Sequence, residues 1–369
     1  MLNEFNDYLQ KIELKIQEFL PSPESQNSNS FESWKNLCFG ELNKSVENFH
    51  IEPLIQANAD LIKLGGKRWR PLFLVLCAQA VLEANKNLSE AQKNQILEKA
   101  FSLTPLVEFI HTASLIHDDI EDKAVYRRGE KAAYLTYGTD VAINAATWLY
   151  FNAGLCIQNL NISAELKNQL YNIYLTEVRR LHLGQAMDIN WHKNTKQIPS
   201  VAQYSAMVQN KTGTLSSLAA KIGTMIALAP ENTISQAGLI AAKIGEGFQI
   251  IDDYINLSTG NPGKKRGDDI VEGKKSLPVL MFFEKCTETE KNQLFEYFDD
   301  AKTNGIESPC VEKAISLLEK YDCINQAKTQ GIETLNSALN ELEKLFGSGK
   351  SVQLIKSLFL NMIPSIIKV

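Results

Sequence analysis

The chain has 369 residues, 44% of them hydrophobic, which is enough to bury a large core. Its net charge of -5, with no clustered basic stripe, leaves no electrostatic footprint for nucleic acid. Six scattered cysteines, Cys38, Cys77, Cys156, Cys286, Cys310 and Cys323, lack the paired spacing of zinc or redox sites and read as reduced core residues.

The first twenty residues mix Glu4, Asp7, Glu13 and Glu18 with lysines, unlike a signal or transit peptide. In the same stretch Leu2, Phe5, Leu9, Ile12, Ile16 and Phe19 alternate three and four apart, the seam of an amphipathic helix that needs a surface to pack on. Pro21 to Ser30 reads as a linker, so the organisation expected is a helix and linker over 1–30 and one main domain over 31–369. Helical spacing recurs almost throughout and alternating strand character is scarce, so the fold class is all-α.

Gly65-Gly66 breaks the pattern before the basic run Lys67-Arg68-Trp69-Arg70, and Pro71 suits the first turn of the next helix. Helical periodicity then covers 71–123, 140–160, 165–191, 201–229 and 233–257, and a glycine- and lysine-rich break follows over 260–275. Thr287 with Glu290 has capping-box spacing and opens a helix to about 299, with two more helices filling 309–346 and 350–369. The most apolar stretches, 141–156 and 351–369, are too short or are interrupted by Lys356 and Pro364, so no membrane span is expected and the chain reads as cytoplasmic.

Two acidic clusters stand out. In His117-Asp118-Asp119-Ile120-Glu121-Asp122 the four-residue spacing stacks Asp118 and Asp122 on one helix face, where like charges repel. The second is Asp252-Asp253-Tyr254-Ile255-Asn256. One such cluster is equally well a solvated helix face. Both, however, end apolar stretches, Ala113 to Ile116 and Phe248 to Ile251, and two half-buried acidic clusters call for a cation. Oxygen-only ligands suit a hard ion such as Mg2+.

These residues, with Gly65 to Pro71, Arg127-Arg128-Gly129, Gly184-Gln185, Lys211-Thr212-Gly213 and Phe248-Gln249, resemble the ordered signature of trans-isoprenyl diphosphate synthases over about residues 60 to 280. Within that family the run Gly184 to Trp191 and the Asp252 to Asn256 variant are most similar to eukaryotic-type geranylgeranyl diphosphate synthases. The resemblance implies the isoprenoid synthase fold, with helices around a central cavity and the acidic motifs at its mouth. It also implies a homodimer that condenses an allylic diphosphate with isopentenyl diphosphate. By the same resemblance Asp118, Asp119, Asp122, Asp252 and Asp253 are metal ligands. Arg127, Lys211 and Lys265 match contacts to the allylic diphosphate, Lys67, Arg70, His111 and Arg128 match the isopentenyl diphosphate site, and Lys274 is a further basic position near the mouth. Thr212 and Gln249 match oxygens facing the developing cation.

Taken alone, His111 is as well a satisfied core histidine, and Tyr150 and Phe151 are as well ordinary core packing. Asn256 replaces a third aspartate found in many relatives, which lowers the negative charge there. Class I terpene cyclases fit poorly, because they need Ser or Thr four residues after the aspartate and Glu four later, where this chain has Asn256 and Gly260. A non-catalytic regulatory subunit fits poorly too, since such partners lose aspartates that are intact here. By the same resemblance, small Ala113 and Ser114 below Asp118, where farnesyl-producing relatives often carry aromatics, and Tyr150, Phe151 and His182, which match floor residues of the eukaryotic-type enzymes, imply geranylgeranyl diphosphate as product, with farnesyl or longer polyprenyl diphosphate as the alternative.

Overall fold

A computed structural model of the chain describes residues 5–25, 28–194, 196–260 and 265–363. Leu2, part of the glycine-rich break and residues 364–369, on which the expected first and last helices partly fall, lie outside them. The described residues are helical apart from loops and one short hairpin. They divide into two compact units: Met1–Thr176 with Leu218–Ala237 and Phe346–Leu358, and Glu177–Ser217 with Gly238–Leu345 and Phe359–Val369. No described helix is long and apolar enough to cross a membrane.

In the first unit the helices are α1 (Asn6–Phe19), α2 (Asn29–Phe39), α3 (Glu52–Lys63), α4 (Trp69–Ala84), α5 (Glu90–Ser102) and α6 (Thr104–Glu121). A hairpin of β1 (Tyr126–Arg127) and β2 (Glu130–Lys131) follows, then α7 (Ala133–Tyr137), α8 (Thr139–Asn152) and α9 (Leu155–Asn159). The single periodic stretch expected over 71–123 is therefore three helices. The Ser89–Gln92 capping box starts α5 and Pro105, which has no N–H to donate, sits in the first turn of α6. The apolar pattern continues across those breaks, so periodicity alone does not show them. Helix α4 is apolar all round and accordingly buried from Leu72 to Ala78. Helix α6 packs against α1, α4 and α8, burying Leu106, Phe109, Ala113 and Ile116. The amphipathic seam of α1 buries Ile12, Ile16 and Phe19, and the Phe19 carbonyl accepts hydrogen bonds from Trp34 Nε1 at 3.0 Å and Asn152 Nδ2 at 3.1 Å.

Helix α10 (Ala164–Lys193) comes next, then α11 (Val201–Val208), a π turn over Gln209–Gly213, α12 (Thr214–Ile226) and α13 (Glu231–Ser258). The remaining helices are α14 (Asp268–Glu272), α15 (Leu277–Phe283), α16 (Glu288–Asn304), α17 (Pro309–Lys320), α18 (Cys323–Phe346) and α19 (Lys350–Met362). In the second unit, Phe282, Leu294, Phe298, Ile315 and Leu318 build one core cluster. Trp191, Tyr204, Met207, Ile250 and Leu280 build another beneath the second acidic motif. Both sides of the Thr287–Glu290 capping box are formed.

Candidate active site

In the first unit the last turn of α6 carries Asp118 and Asp119, Asp122 caps its end, and the hairpin folds Arg127 back onto the first two. Arg127 Nε donates to Asp119 Oδ1 at 2.8 Å, and its Nη2 lies 3.7 Å from Asp118 Oδ2. Asp119 is buried, whereas Asp118 and Asp122 are partly exposed. The arginine thus binds the buried middle carboxylate most closely and Asp118 more loosely, with Asp118 and Asp122 on the more accessible side.

The basic run lies in the same unit. Arg70 stacks on the Trp69 ring at 4.2 Å, and its Nη1 is 3.3 Å from His111 Nε2. With Arg70 as donor, Nε2 accepts and the imidazole proton is assigned to Nδ1. Burial, reinforced by Arg70 and Arg128, holds the His111 pKa well below its ordinary value, so the ring is neutral. Burial also lowers the Arg70 pKa, to about 10, and its buried Nε has no hydrogen-bond partner among the described residues. Lys67 is exposed.

The second unit builds a cavity of about 80 Å³ whose walls include Asp188, Lys211, Thr212, Gln249, Asp252, Asp253, Asp269 and Lys274. Lys211 Nζ is paired with Asp188 Oδ2 at 2.6 Å. Burial opposes ionisation of Asp188, but Lys211 and Lys274 hold its carboxyl below the usual range. Thr212 Oγ1 donates to Gln249 Oε1 at 2.8 Å, and Gln249 Nε2 donates to Asp253 Oδ1 at 3.0 Å. The Tyr204 hydroxyl donates to Asp253 Oδ2 at 2.6 Å, so both oxygens of Asp253 are engaged by protein. Burial, and the charge of Asp252 beside it, nonetheless raise its pKa to about 6. Burial pushes the Asp269 carboxyl up in the same way, against the opposing pull of Lys274. Asn256 has a structural use: its Oδ1 accepts the backbone N–H of Asp269 at 3.2 Å, fixing α14 beside the cavity.

Among the described residues no three His, Cys, Asp or Glu side chains gather closely enough to hold an ion by themselves. The donor set still fits a hard cation. It is all oxygen, and carboxyls forced toward the protonated form by burial and mutual repulsion are those a cation would return to the charged form. Mg2+ also takes only one or two carboxylates where phosphate oxygens complete its shell.

The π turn explains how Lys211 and Thr212 reach the cavity. It carries them past α10, so close that a Cβ on Gly184 would lie 2.3 Å from the Lys211 backbone nitrogen. Gly184→Ala must displace the turn and is expected to lower kcat about tenfold or more, by moving Lys211 and Thr212. Kinetics of a folded variant with unchanged kcat would show that the turn does not position them.

The remaining expected residues are placed as follows. Lys265 is exposed, pairs with Glu307 at 2.6 Å and does not line the cavity. Lys274 contacts Glu272 and lies 4.0 Å from Asp269. Ala113 is buried, Ser114 donates to the His111 carbonyl at 2.8 Å, and His117 stacks on buried Tyr150 at 5.6 Å. Phe151 is 74% exposed on α8, and His182 is exposed on α10. Asp188, Tyr204 and Asp269 carry site geometry that sequence reading missed. Asp188 had a signal, standing one turn after Gly184, but Tyr204 and Asp269 reach the site only through tertiary packing.

A polyprenyl synthetase family model matches residues 52–317 of the chain. The chain is 36% identical over 250 residues to geranylgeranyl pyrophosphate synthase of Eremothecium gossypii, an alignment covering 64% of this chain and 74% of that protein. A second alignment, 35% identical over 181 residues, covers 48% of this chain but 23% of the quiannulatene synthase of Emericella variicolor. The fold superposes on the crystal structure of geranylgeranyl pyrophosphate synthetase from Pyrococcus horikoshii with a TM-score of 0.77 and 25% identity, covering 98% of each chain.

Proposed function

The chain belongs to the polyprenyl synthetase family, and from that premise we propose that it is a trans-prenyltransferase joining an allylic diphosphate to isopentenyl diphosphate, with geranylgeranyl diphosphate as product. The observation carrying this reading is the cavity of the second unit. There Lys211 and Lys274 bring positive charge beside Asp252, while the Thr212–Gln249 pair offers oxygen.

The reaction breaks the allylic carbon–oxygen bond, attacks the resulting cation with the isopentenyl double bond, and then loses a proton. Mg2+ bound with the substrate would act as a Lewis acid on the departing oxygens. Asp118 and Asp122 are proposed metal ligands within the first unit, and Asp252 is a proposed metal ligand within the second. Asp119 and Asp253 serve more as holders, of Arg127 in the first case and of Gln249 and Tyr204 in the second. The ion pair with Asp188 restricts the Lys211 ammonium, whose positive charge stands in the wall of the cavity proposed for the allylic diphosphate. Thr212 gives its proton to Gln249, so the lone pairs of its oxygen are what remain for the developing cation. Neutral His111 orients Arg70, whose buried Nε supports a role toward the isopentenyl diphosphate anion together with Lys67 and Arg128. No protein base is assigned, and the departing diphosphate takes the proton. Exposed Ile143 and Phe151 give α8 apolar surface that supports the homodimer belonging to the same reading.

Incubating the purified chain with each allylic diphosphate, isopentenyl diphosphate and Mg2+, and then measuring product length, tests the proposal. No turnover with any starter would return it to the regulatory-subunit alternative. Arg70→Ala should raise the KM for isopentenyl diphosphate and Lys211→Ala that for the allylic substrate, and equal effects on both would defeat the assignment. For chain length, phenylalanine at Ser114, one turn below Asp118, is expected to shift output toward farnesyl diphosphate, and Tyr150→Ala to lengthen it. Chromatography of dephosphorylated products decides, and unchanged products in both variants would place the barrier elsewhere.

A further inference from the structure

The reading above gives the amino-terminal helix no task, yet α1 reaches the basic run. Arg68, between Lys67 and Arg70, adopts a left-handed backbone at φ 45°, uncommon for a residue with a side chain. Its guanidinium is nearly inaccessible and holds that turn from three sides. Nη1 pairs with Glu108 at 2.7 Å, Nη2 donates to the Ile62 carbonyl at 2.7 Å, and Nε pairs with Glu13 of α1 at 2.6 Å. Arg128 clamps the same loop by donating to the Leu61 carbonyl at 3.0 Å and to that of Gly65. A Cβ on Gly66 would meet Arg128 Nη2 at 3.2 Å and Arg68 Nη1 at 3.5 Å, so the loop threads closely between two guanidiniums. Burial opposes the charge of Arg68, and Glu108 and Glu13 restore it. Glu108 must also serve Arg70 and Arg128, which leaves Glu13 as the carboxylate given to Arg68 Nε.

We infer that Glu13 is a positioning residue for the isopentenyl diphosphate site: by anchoring Arg68 it fixes the turn that aims Lys67 and Arg70. This rests on the assignment of Lys67 and Arg70 proposed above.

Steady-state kinetics of the full chain, varying each substrate in turn, test it. Glu13→Ala should raise the KM for isopentenyl diphosphate about fivefold while leaving kcat and the allylic KM within about twofold. Lys11→Ala removes a different anchor of the same helix, to Glu98 and the Phe101 ring, and should lower the melting temperature without that KM change. An unchanged isopentenyl KM in Glu13→Ala, or an equal rise in Lys11→Ala, overturns the inference. Arg70→Ala separates the levels. If it leaves the isopentenyl KM unchanged, the site assignment fails and the inference with it. If Arg70→Ala raises that KM and Glu13→Ala does not, the role of Glu13 alone fails. Should Glu13→Ala not fold, Glu13→Gln, which keeps an acceptor for Arg68 Nε but loses the charge, should give a rise of about twofold in the same KM alone.

Discussion

Asp252→Ala is expected to lower kcat about a hundredfold or more, because it deletes a carboxylate proposed to hold the ion that stabilises the leaving diphosphate. Its neighbour cannot substitute. Both oxygens of Asp253 already accept bonds, from Tyr204 and Gln249, so turning that side chain toward a metal would break the chain of bonds that ends at Thr212. The fold should survive, since removing one of two repelling carboxylates relieves Asp253. The Mg2+ dependence should move to higher concentration, and helical content by circular dichroism should stay unchanged. Near-normal turnover at limiting Mg2+ would remove Asp252 from the metal site.

The two aspartate motifs could be picked out of the sequence because their repelling carboxylates are close along the chain, one turn apart at Asp118 and Asp122 and side by side at Asp252 and Asp253, each after an apolar stretch. The all-α class was legible for a similar reason, since helical spacing depends only on local sequence. What could not be read is what depends on distant packing. Asn256 looked like a weakened ligand, yet it caps the backbone of Asp269, a partner thirteen residues on that no spacing rule indicates. Asp119 and Asp253 entered as metal ligands by resemblance, and their partners, Arg127 for the first and Tyr204 and Gln249 for the second, depend on packing that the sequence does not spell out. The role of Gly184 was likewise hidden, because the π turn it accommodates breaks the regular helical period. Arg68 was visible only as one more charge in a basic run, and nothing local reveals that its partners come from α1 and α6.

Glu108→Ala should strongly destabilise the first unit. Glu108 is 2% exposed, pairs with Arg68 and lies within the field of Arg70 and Arg128. Removing one member of a buried ion pair leaves uncompensated charge and costs about 3–5 kcal/mol, readable as a lower midpoint in denaturant unfolding. Glu108→Gln keeps the volume and a hydrogen-bond acceptor, so it is the variant in which the electrostatic consequence can be measured on a folded protein. In the parent chain Glu108 offsets part of the positive charge that an incoming diphosphate would meet. With that carboxylate neutral, a bound anion takes over its role toward Arg70 and Arg128. Inorganic diphosphate should therefore raise the melting temperature of Glu108→Gln by more than it raises that of the parent, since ligand stabilisation grows with affinity for the folded state. The difference should shrink as ionic strength rises. An equal or smaller shift in Glu108→Gln would mean that the anion does not bind against these arginines, and the isopentenyl diphosphate site would have to be sought elsewhere.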